Sequence, residues 1–504
     1  VLTPWRVVNM HLADTIGGWC FTGGPRSVAA ETGGRPSPAA DDTAREDARP
    51  PKFVSVPGVT ENIFGKPDAK ILEINSKSGL YPLYVAYSLY RRKLGDVPED
   101  AVTPAALAKL WREVVARSLF VVCKTPMARA ITRRTLVGYD EKATVNAQYI
   151  KNLVKLLKNE PKKFYNKVCG GNAWNNKEFE MKMLKFDAVV GNPPYQLMDG
   201  GNKASATPIY HYFINTGKSL CPFYESMIVP AKWYSGGRTV LDQFRKEMLS
   251  DERLAKLYDF SDSEYCFPGV DIAGGVCYFL WNAAHKGLCE VTTRNRNRVR
   301  TSMRKLDDFE IFIRDEEALN IVKKVTGFGE DRYASRVSAQ KPFGLRTYVK
   351  PTKRGDITLR YSGGKGPFKR SEVTAGKDWI DKFKVIMSYL TYDHAGRPDK
   401  DGKRRIFSTM EVLGKESVCT ETYIVIDSFS TKASAENLLE YLKTRFVRFL
   451  VSVVAATQHI SKDSFAFVPV QDFSESWNDM KLYKKYKLTK EEIEFIESMI
   501  KPME

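Results

Sequence analysis

Residues 185–198 read KFDAVVGNPPYQLM, and four of them, Asn192, Pro193, Pro194 and Tyr195, have chemistry that can be argued from the side chains alone. Each proline fixes φ near about −65° and brings no N–H. The loop is therefore stiff, and its carbonyls face outward as acceptors. The carboxamide oxygen of Asn192 beside such a carbonyl makes a pair of acceptors matched to the two hydrogens of an exocyclic amino group. Tyr195 adds a flat apolar face on which a planar ring can stack. Accepting both hydrogens draws the nitrogen lone pair out of conjugation and turns it toward an electrophile. The contacts that hold the amine thus also activate it. The plain alternative is a proline-rich turn that closes a core strand.

To act, the loop has to stand at the end of a strand, where open α/β sheets bind ligands. The preceding residues FDAVV (186–190) supply one. Similar short apolar runs recur at KILEI (70–74), LFVVC (119–123), ESMIVPA (225–231), AKLYDF (255–260) and GGVCYFLW (274–281). They alternate with segments of helical character at 105–116, 145–158 and 240–249. This is the pattern of a sheet with helices on its faces, and we expect an α/β domain. Residues 22–52, rich in Gly, Pro, Ala and acids, hold too little apolar surface to build a core and read as a mobile loop. The basic run TTRNRNRVRTSMRK (292–305) reads as a solvated strand edge or a linker, with contact to phosphates as the alternative. From about Asp307 strand-like and helical pieces mix, ending in the charged helical stretch TKEEIEFIESMI (489–500). This is the texture of a second, α+β domain.

At 504 residues the chain has material for two or three domains. Its 43% hydrophobic and 27% charged residues are the balance of a globular protein. A net charge of +18 points to a polyanionic partner. No apolar stretch reaches the roughly 18 residues of a membrane helix. The eight cysteines and five histidines show no metal or disulfide spacing, so no metal is expected, and reduced thiols in a cytoplasm fit best. The chain opens at Val1 without a signal-peptide pattern, which we read as a piece of a longer product.

VVGNPPY resembles the catalytic motif of S-adenosylmethionine-dependent amino methyltransferases, above all the adenine-N6 DNA methyltransferases of restriction–modification systems. The order of other segments is similar to the subclass with its catalytic domain first and its target-recognition region last. The resemblance implies a Rossmann-like methyltransferase sheet with helices on both faces (residues 1–290), a basic linker (291–306) and a mixed α+β recognition domain (307–504). It makes Asn192, Pro193, Pro194 and Tyr195 the catalytic loop. Thr3 and Pro4 resemble the Thr-Pro segment that packs on the methionine end of the cofactor. Glu73 and Gly79, in ILEINSKSGLYPLYVAYSLY (71–90), stand in the cofactor strand, loop and helix.

In the same alignment Cys123 stands where an acid commonly binds the ribose hydroxyls. Asn172, within CGGNAW (169–174), stands where an acid often faces the adenine of the cofactor. Cys123, Asn172 and Lys77 depart from the family pattern, and only one glycine of the usual two remains in the loop. The implied cofactor is S-adenosylmethionine and the implied substrate double-stranded DNA. A restriction endonuclease or helicase portion is expected on a preceding segment or a separate chain. Lys365, Lys369, Arg370, Lys403, Arg404 and Arg405 are candidates for DNA contact, against the alternative of a solvated charged face. The rival readings are a non-catalytic DNA-binding module and an amino methyltransferase acting on RNA or on protein glutamine.

Overall fold

The apolar runs become strands of one nine-stranded sheet in the computed structural model, which describes residues 2–21, 51–197, 207–220, 222–235, 239–295, 298–392, 399, 401–454 and 459–503. In chain order the strands are β1 (Ile71–Ser76), β2 (Leu119–Cys123), β3 (Asn146–Tyr149), β4 (Ala188–Gly191), β5 (Tyr224–Pro230), β6 (Leu254–Phe260), β7 (Val276–Asn282), β8 (Cys289–Asn295) and β9 (Arg298–Arg304). Their spatial order is β9-β8-β6-β7-β5-β4-β1-β2-β3. β1 to β5 pair in parallel, whereas β7 is inserted antiparallel between β5 and β6. This is a Rossmann-like, doubly wound sheet. From β1 the chain winds outward to β2 and β3, then returns to lay β4 and β5 on the other side. The crevice between β1 and β4 is therefore the topological switch point, where such sheets bind ligands.

Strands β1, β2, β4 and β5 are buried along their whole length, as expected of strands covered on both faces. Val121 packs into a core with Tyr84, Val85 and Leu89. Its neighbour Phe120 points to the opposite face, where its ring lies 5.1, 5.3 and 5.4 Å from those of Trp174, Phe179 and Phe186. The helices start where the sequence signals them. Thr103 and Thr125 accept from Ala106 N and Ala128 N, and each precedes a proline at the first helical position of Pro104–Ser118 and Pro126–Val137.

Two expectations are corrected. Residues 145–158 are not one helical segment: Asn146–Tyr149 is the third parallel strand, and the helix begins only at Leu153. Of the two readings of the basic run, the linker over 291–306 gives way to the strand edge, because β8 pairs in parallel with β6 and antiparallel with β9 at the edge of the sheet. The mobile loop expected over 22–52 lies, apart from Pro51 and Lys52, outside the described residues.

The chain divides into one unit of Val1–Ala231 with Lys246–Leu306, and a second of Lys232–Arg245 with Asp307–Glu504. The second unit holds two three-stranded sheets. One joins Gly364–Phe368, Ile357–Tyr361 and Ser417–Cys419; the other joins Met410–Leu413, Phe383–Ser388 and Tyr423–Phe429. Helices Glu316–Gly327, Lys432–Lys443 and Arg445–Val454 bury their apolar faces in its larger core. Lys384 is fully buried there, its ammonium donating to the carbonyls of Ile380, Lys382 and Gly414 at 3.0–3.1 Å. Burial pushes its pKa down to about 8. Among the described residues no helix is long and apolar enough to cross a membrane.

Candidate active site

Strand β4 delivers Asn192 to the switch point. A Cβ on Gly191 would lie 3.5 Å from the Cγ of Glu73, so the Glu73 side chain runs directly beside the loop. Asn192 is 6% exposed, and its Nδ2 donates to Thr3 Oγ1 at 2.8 Å. Its Oδ1 is buried and accepts nothing. Among the described residues nothing donates to the Pro193 carbonyl either. Both oxygens are thus without a donor among the described residues. An unpartnered buried acceptor costs about 1–3 kcal/mol, which marks Oδ1 as an atom kept for a ligand.

The hydrogen bonds around His11 have forced directions. Thr15 Oγ1 donates to the His11 carbonyl at 2.7 Å, so Ser226 must donate to Thr15 at 2.9 Å. Ser226 Oγ then accepts from His11 Nε2–H at 2.8 Å, and His11 Nδ1 accepts from the Tyr81 hydroxyl at 2.9 Å. Burial pushes the His11 pKa down to about 3, which keeps the ring neutral and consistent with this tautomer. At Asn192 itself the contact with Thr3 takes the amide nitrogen and leaves the oxygen without a donor. Thr3→Val keeps the shape of this site but removes the hydroxyl. We expect a loss of about 1–3 kcal/mol in denaturant unfolding and a transfer rate lower by roughly tenfold, because the amide is free to turn.

Tyr195 follows on the same loop. Its hydroxyl is buried without a hydrogen-bond partner, and burial together with the neighbouring Cys266 and Cys277 holds its pKa well above the phenol range. The ring meets Phe267 edge to face at 6.3 Å. Phe267 belongs to the loop after β6, which Ser263 ties together by accepting from Ile272 N and donating to the Val270 carbonyl. Beyond Tyr195 the chain turns back at once: Gln196–Leu197 pairs antiparallel with Thr207–Pro208.

The residues aligned with a cofactor site divide. Thr3 and Glu73 are brought to the cleft, and Pro4 precedes the helix Trp5–Thr15, its carbonyl accepting from Val7 N and Val8 N. Glu73 is 5% exposed and its Oε2 has no partner. Burial pushes its pKa up to about 7, against the opposing pull of Ser76 and Lys77. Asn75, at φ +78°, contributes a second orphan, its Nδ2. Gly79 caps the helix Leu80–Leu94 at φ +76°, with the backbone of Thr132 only 3.0 Å from where a Cβ would be. The glycine is thus required by helix packing. Cys123 ends β2 but is buried, its thiol facing Thr132 Oγ1 at 3.9 Å, and burial pushes its pKa up to about 12. It is a neutral group.

Asn172 is not at the site. It lies in a 3-10 turn after the helix Pro161–Cys169, where its Oδ1 accepts from Met181 N at 2.7 Å. The adjacent Asn175 and Asn176 bond to Val145, Asn146 and Ala116, at the amino ends of β2 and β3. Asn172 therefore belongs to the edge of the sheet opposite the catalytic loop, and β3, not CGGNAW, is the third segment. The buried orphans at Glu73 and Asn75 thus fit the amino-acid end of S-adenosylmethionine. No ionised acid awaits its ribose at Cys123.

The basic residues proposed for DNA contact are mostly engaged within the second unit. Lys365 pairs with Glu411 at 2.6 Å, and Arg370 holds Asp381 through two bonds of 2.9 and 2.6 Å. Lys403 donates to the Glu497 carbonyl, and the Arg404 backbone pairs with Met499 and Lys501. Arg405 lies 4.0 Å from Asp399 and over the Tyr392 ring. Lys369 is exposed and, among the described residues, has no ion-pair partner.

Residues 117–267, which include the whole catalytic loop, match the family described as Eco57I restriction-modification methylase. A Mycoplasma pneumoniae protein described as an uncharacterized adenine-specific methylase is 36% identical over 116 residues. That stretch is 22% of this chain and 27% of the relative, so the chain matches about a quarter of that protein's length. Among solved structures, the type IIL restriction-modification enzyme MmeI in complex with DNA is similar over 79% of this chain and 62% of that one, at 9% identity and a TM-score of 0.48. The methyltransferase subunit of a type I restriction-modification system from Streptococcus thermophilus is similar over 54% and 51%, at 11% identity and a TM-score of 0.29.

Proposed function

We propose that this chain methylates the N6 amino group of adenine in double-stranded DNA, using S-adenosylmethionine, as the modification part of a restriction–modification system. The observation that carries the reading is the buried, unpartnered Oδ1 of Asn192, held outward at the switch point of the sheet. The family match over 117–267 and the adenine-specific description of the relative support it.

An amino group inside a duplex is out of reach, so the target base would be flipped out, at a cost of a few kcal/mol. Stacking on Tyr195 returns about 1–3 kcal/mol. Asn192 Oδ1 and the Pro193 carbonyl accept the two amine hydrogens and orient the nitrogen lone pair, and Pro194 keeps the loop stiff. Glu73, Thr3 and Pro4 would hold the amino-acid end of the cofactor, with Gly79 and Cys123 shaping its loop. When bound, S-adenosylmethionine supplies the electrophilic methyl group. DNA cleavage, where the system has it, is assigned to a segment outside this chain or to a partner chain. The second unit takes the role of target recognition, and of the six basic candidates Lys369 is the most available.

The test is expression in a methylation-free host followed by sequencing that reports modified bases. N6-methyladenine in one sequence context is expected, and unmodified DNA from a soluble, expressed protein overturns the reading. The neutral Cys123 favours one second reading, a DNA-binding module that no longer transfers methyl groups. Calorimetry separates the two, since no heat at millimolar S-adenosylmethionine would favour the inert module.

A further inference from the structure

Two arginines meet over one aromatic ring beside the catalytic loop. Arg6, in the first turn of the helix that Thr3 and Pro4 introduce, donates from Nη2 to the Tyr265 carbonyl at 2.6 Å, and its guanidinium lies 5.5 Å from the Tyr265 ring. Arg294 lies 4.7 Å from the same ring. It is at the carboxyl end of β8, in register with Phe260 at the carboxyl end of β6. Tyr265 is stacked on Phe260, with centroids 5.4 Å apart and planes inclined by 13°, so the platform under the two charges is rigid. The next residues, Cys266 and Phe267, are the ones that face Tyr195. Both arginines therefore flank the wall of the base pocket.

No carboxylate lies within ion-pair distance of either guanidinium among the described residues, whereas Lys365 and Arg370 of the second unit each have one. Two like charges gathered at one ring repel each other, and the arrangement is eased by an anion that both can reach. Arginine forks suit a phosphodiester, and such contacts set the register of a protein on a duplex. We propose that Arg6 and Arg294 form a phosphate clamp that grips the DNA backbone next to the flipped nucleotide. The inference rests on the reading that the chain acts on DNA. It adds a site in the first unit, built from Arg6 and from Arg294 of the basic run, to the candidates of the C-terminal half. The clamp would hold the strand at the point where rotation about the backbone releases the base, with Thr3 on Asn192 and Arg6 on Tyr265 joined by a single turn of chain.

The experiment compares wild type with Arg6→Gln, Arg294→Gln and the double variant, on a duplex bearing the site found by sequencing modified bases. Each substitution is expected to weaken DNA binding about tenfold and to lower the slope of log affinity against log salt by about 0.9. S-adenosylmethionine affinity and the methylation rate at saturating DNA stay unchanged. Arg6→Lys and Arg294→Lys keep the charge and should restore most of the salt slope, which excludes a folding defect. A neutral methylphosphonate placed in turn on either side of the target adenine should, at one of the two positions, weaken wild-type binding about tenfold and leave the double variant unaffected. A wild type that methylates DNA while the double variant keeps its affinity and slope overturns the clamp alone. So does a methylphosphonate effect equal in both proteins. A wild type that neither binds nor methylates DNA overturns the underlying reading as well.

Discussion

Asn192→Ala is expected to lower methyl transfer by at least about 100-fold while leaving the protein as stable as before or slightly more so. The two effects have one cause. Asn192 Oδ1 is a buried acceptor with no donor, so the folded protein carries its desolvation without compensation. Removing it relieves the ground state, which offsets the loss of the bond from Nδ2 to Thr3. The target amine, however, keeps only the Pro193 carbonyl, and its lone pair stays in conjugation with the ring. Single-turnover methylation and calorimetric unfolding on the same preparations check both halves. Activity above a tenth of wild type, or a large fall in melting temperature, would reject the assigned role. An active site that is locally frustrated in the absence of its ligand is a common exchange of stability for function.

The second large effect is expected at Glu73, whose carboxyl is pushed up to about 7 by burial. Below that pH it is mainly protonated and above it mainly ionised. A charged acceptor binds the cofactor's ammonium more strongly than a neutral one. Affinity for S-adenosylmethionine should therefore rise between about pH 6 and pH 8. Glu73→Gln should weaken binding by roughly 10- to 100-fold at pH 8 and abolish the pH dependence. Stability follows the opposite sign. The folded pKa lies above the ordinary value of 4.5, so the folded state binds more protons in that window, and wild type should lose stability relative to Glu73→Gln as pH rises from 4.5 to 7. Titration calorimetry at several pH values and matched denaturant curves measure the two. Parallel pH profiles for wild type and variant would remove Glu73 from the site.

Much of the catalytic unit is legible in the sequence because its strands are buried on both sides and so read as unbroken apolar runs. β1, β2 and β4 to β7 each coincide with such a run. β3 escapes because Asn146–Tyr149 is a short edge strand of NAQY, with no hydrophobic signal, fixed by pairing with Phe120 to Cys123. Missing it displaced the third segment to Asn172, on the wrong edge of the sheet. The tetrapeptide Asn192–Tyr195 was legible because its chemistry is local. The hydrogen-bond chain through His11 was not: Tyr81 and Ser226 lie 70 and 215 residues from His11 along the chain, and nothing in their spacing announces contact. The surroundings of the basic residues of the C-terminal half were not legible for the reverse reason. A cation in a sequence shows its charge but not the carboxylate that neutralises it, as Glu411 and Asp381 do for Lys365 and Arg370.

The contact that takes the Asn192 amide nitrogen has a consequence for fidelity. With Nδ2 donating to Thr3, presenting that nitrogen instead would require the amide to flip and the Thr3 hydroxyl to turn from acceptor to donor. In the orientation held here the loop offers oxygen lone pairs only. A base with a carbonyl where adenine has its amine, such as the hypoxanthine left by deamination, would set oxygen against oxygen and be rejected. A damaged site would thus stay unmarked, and the methylation record would report chemically intact adenine alone.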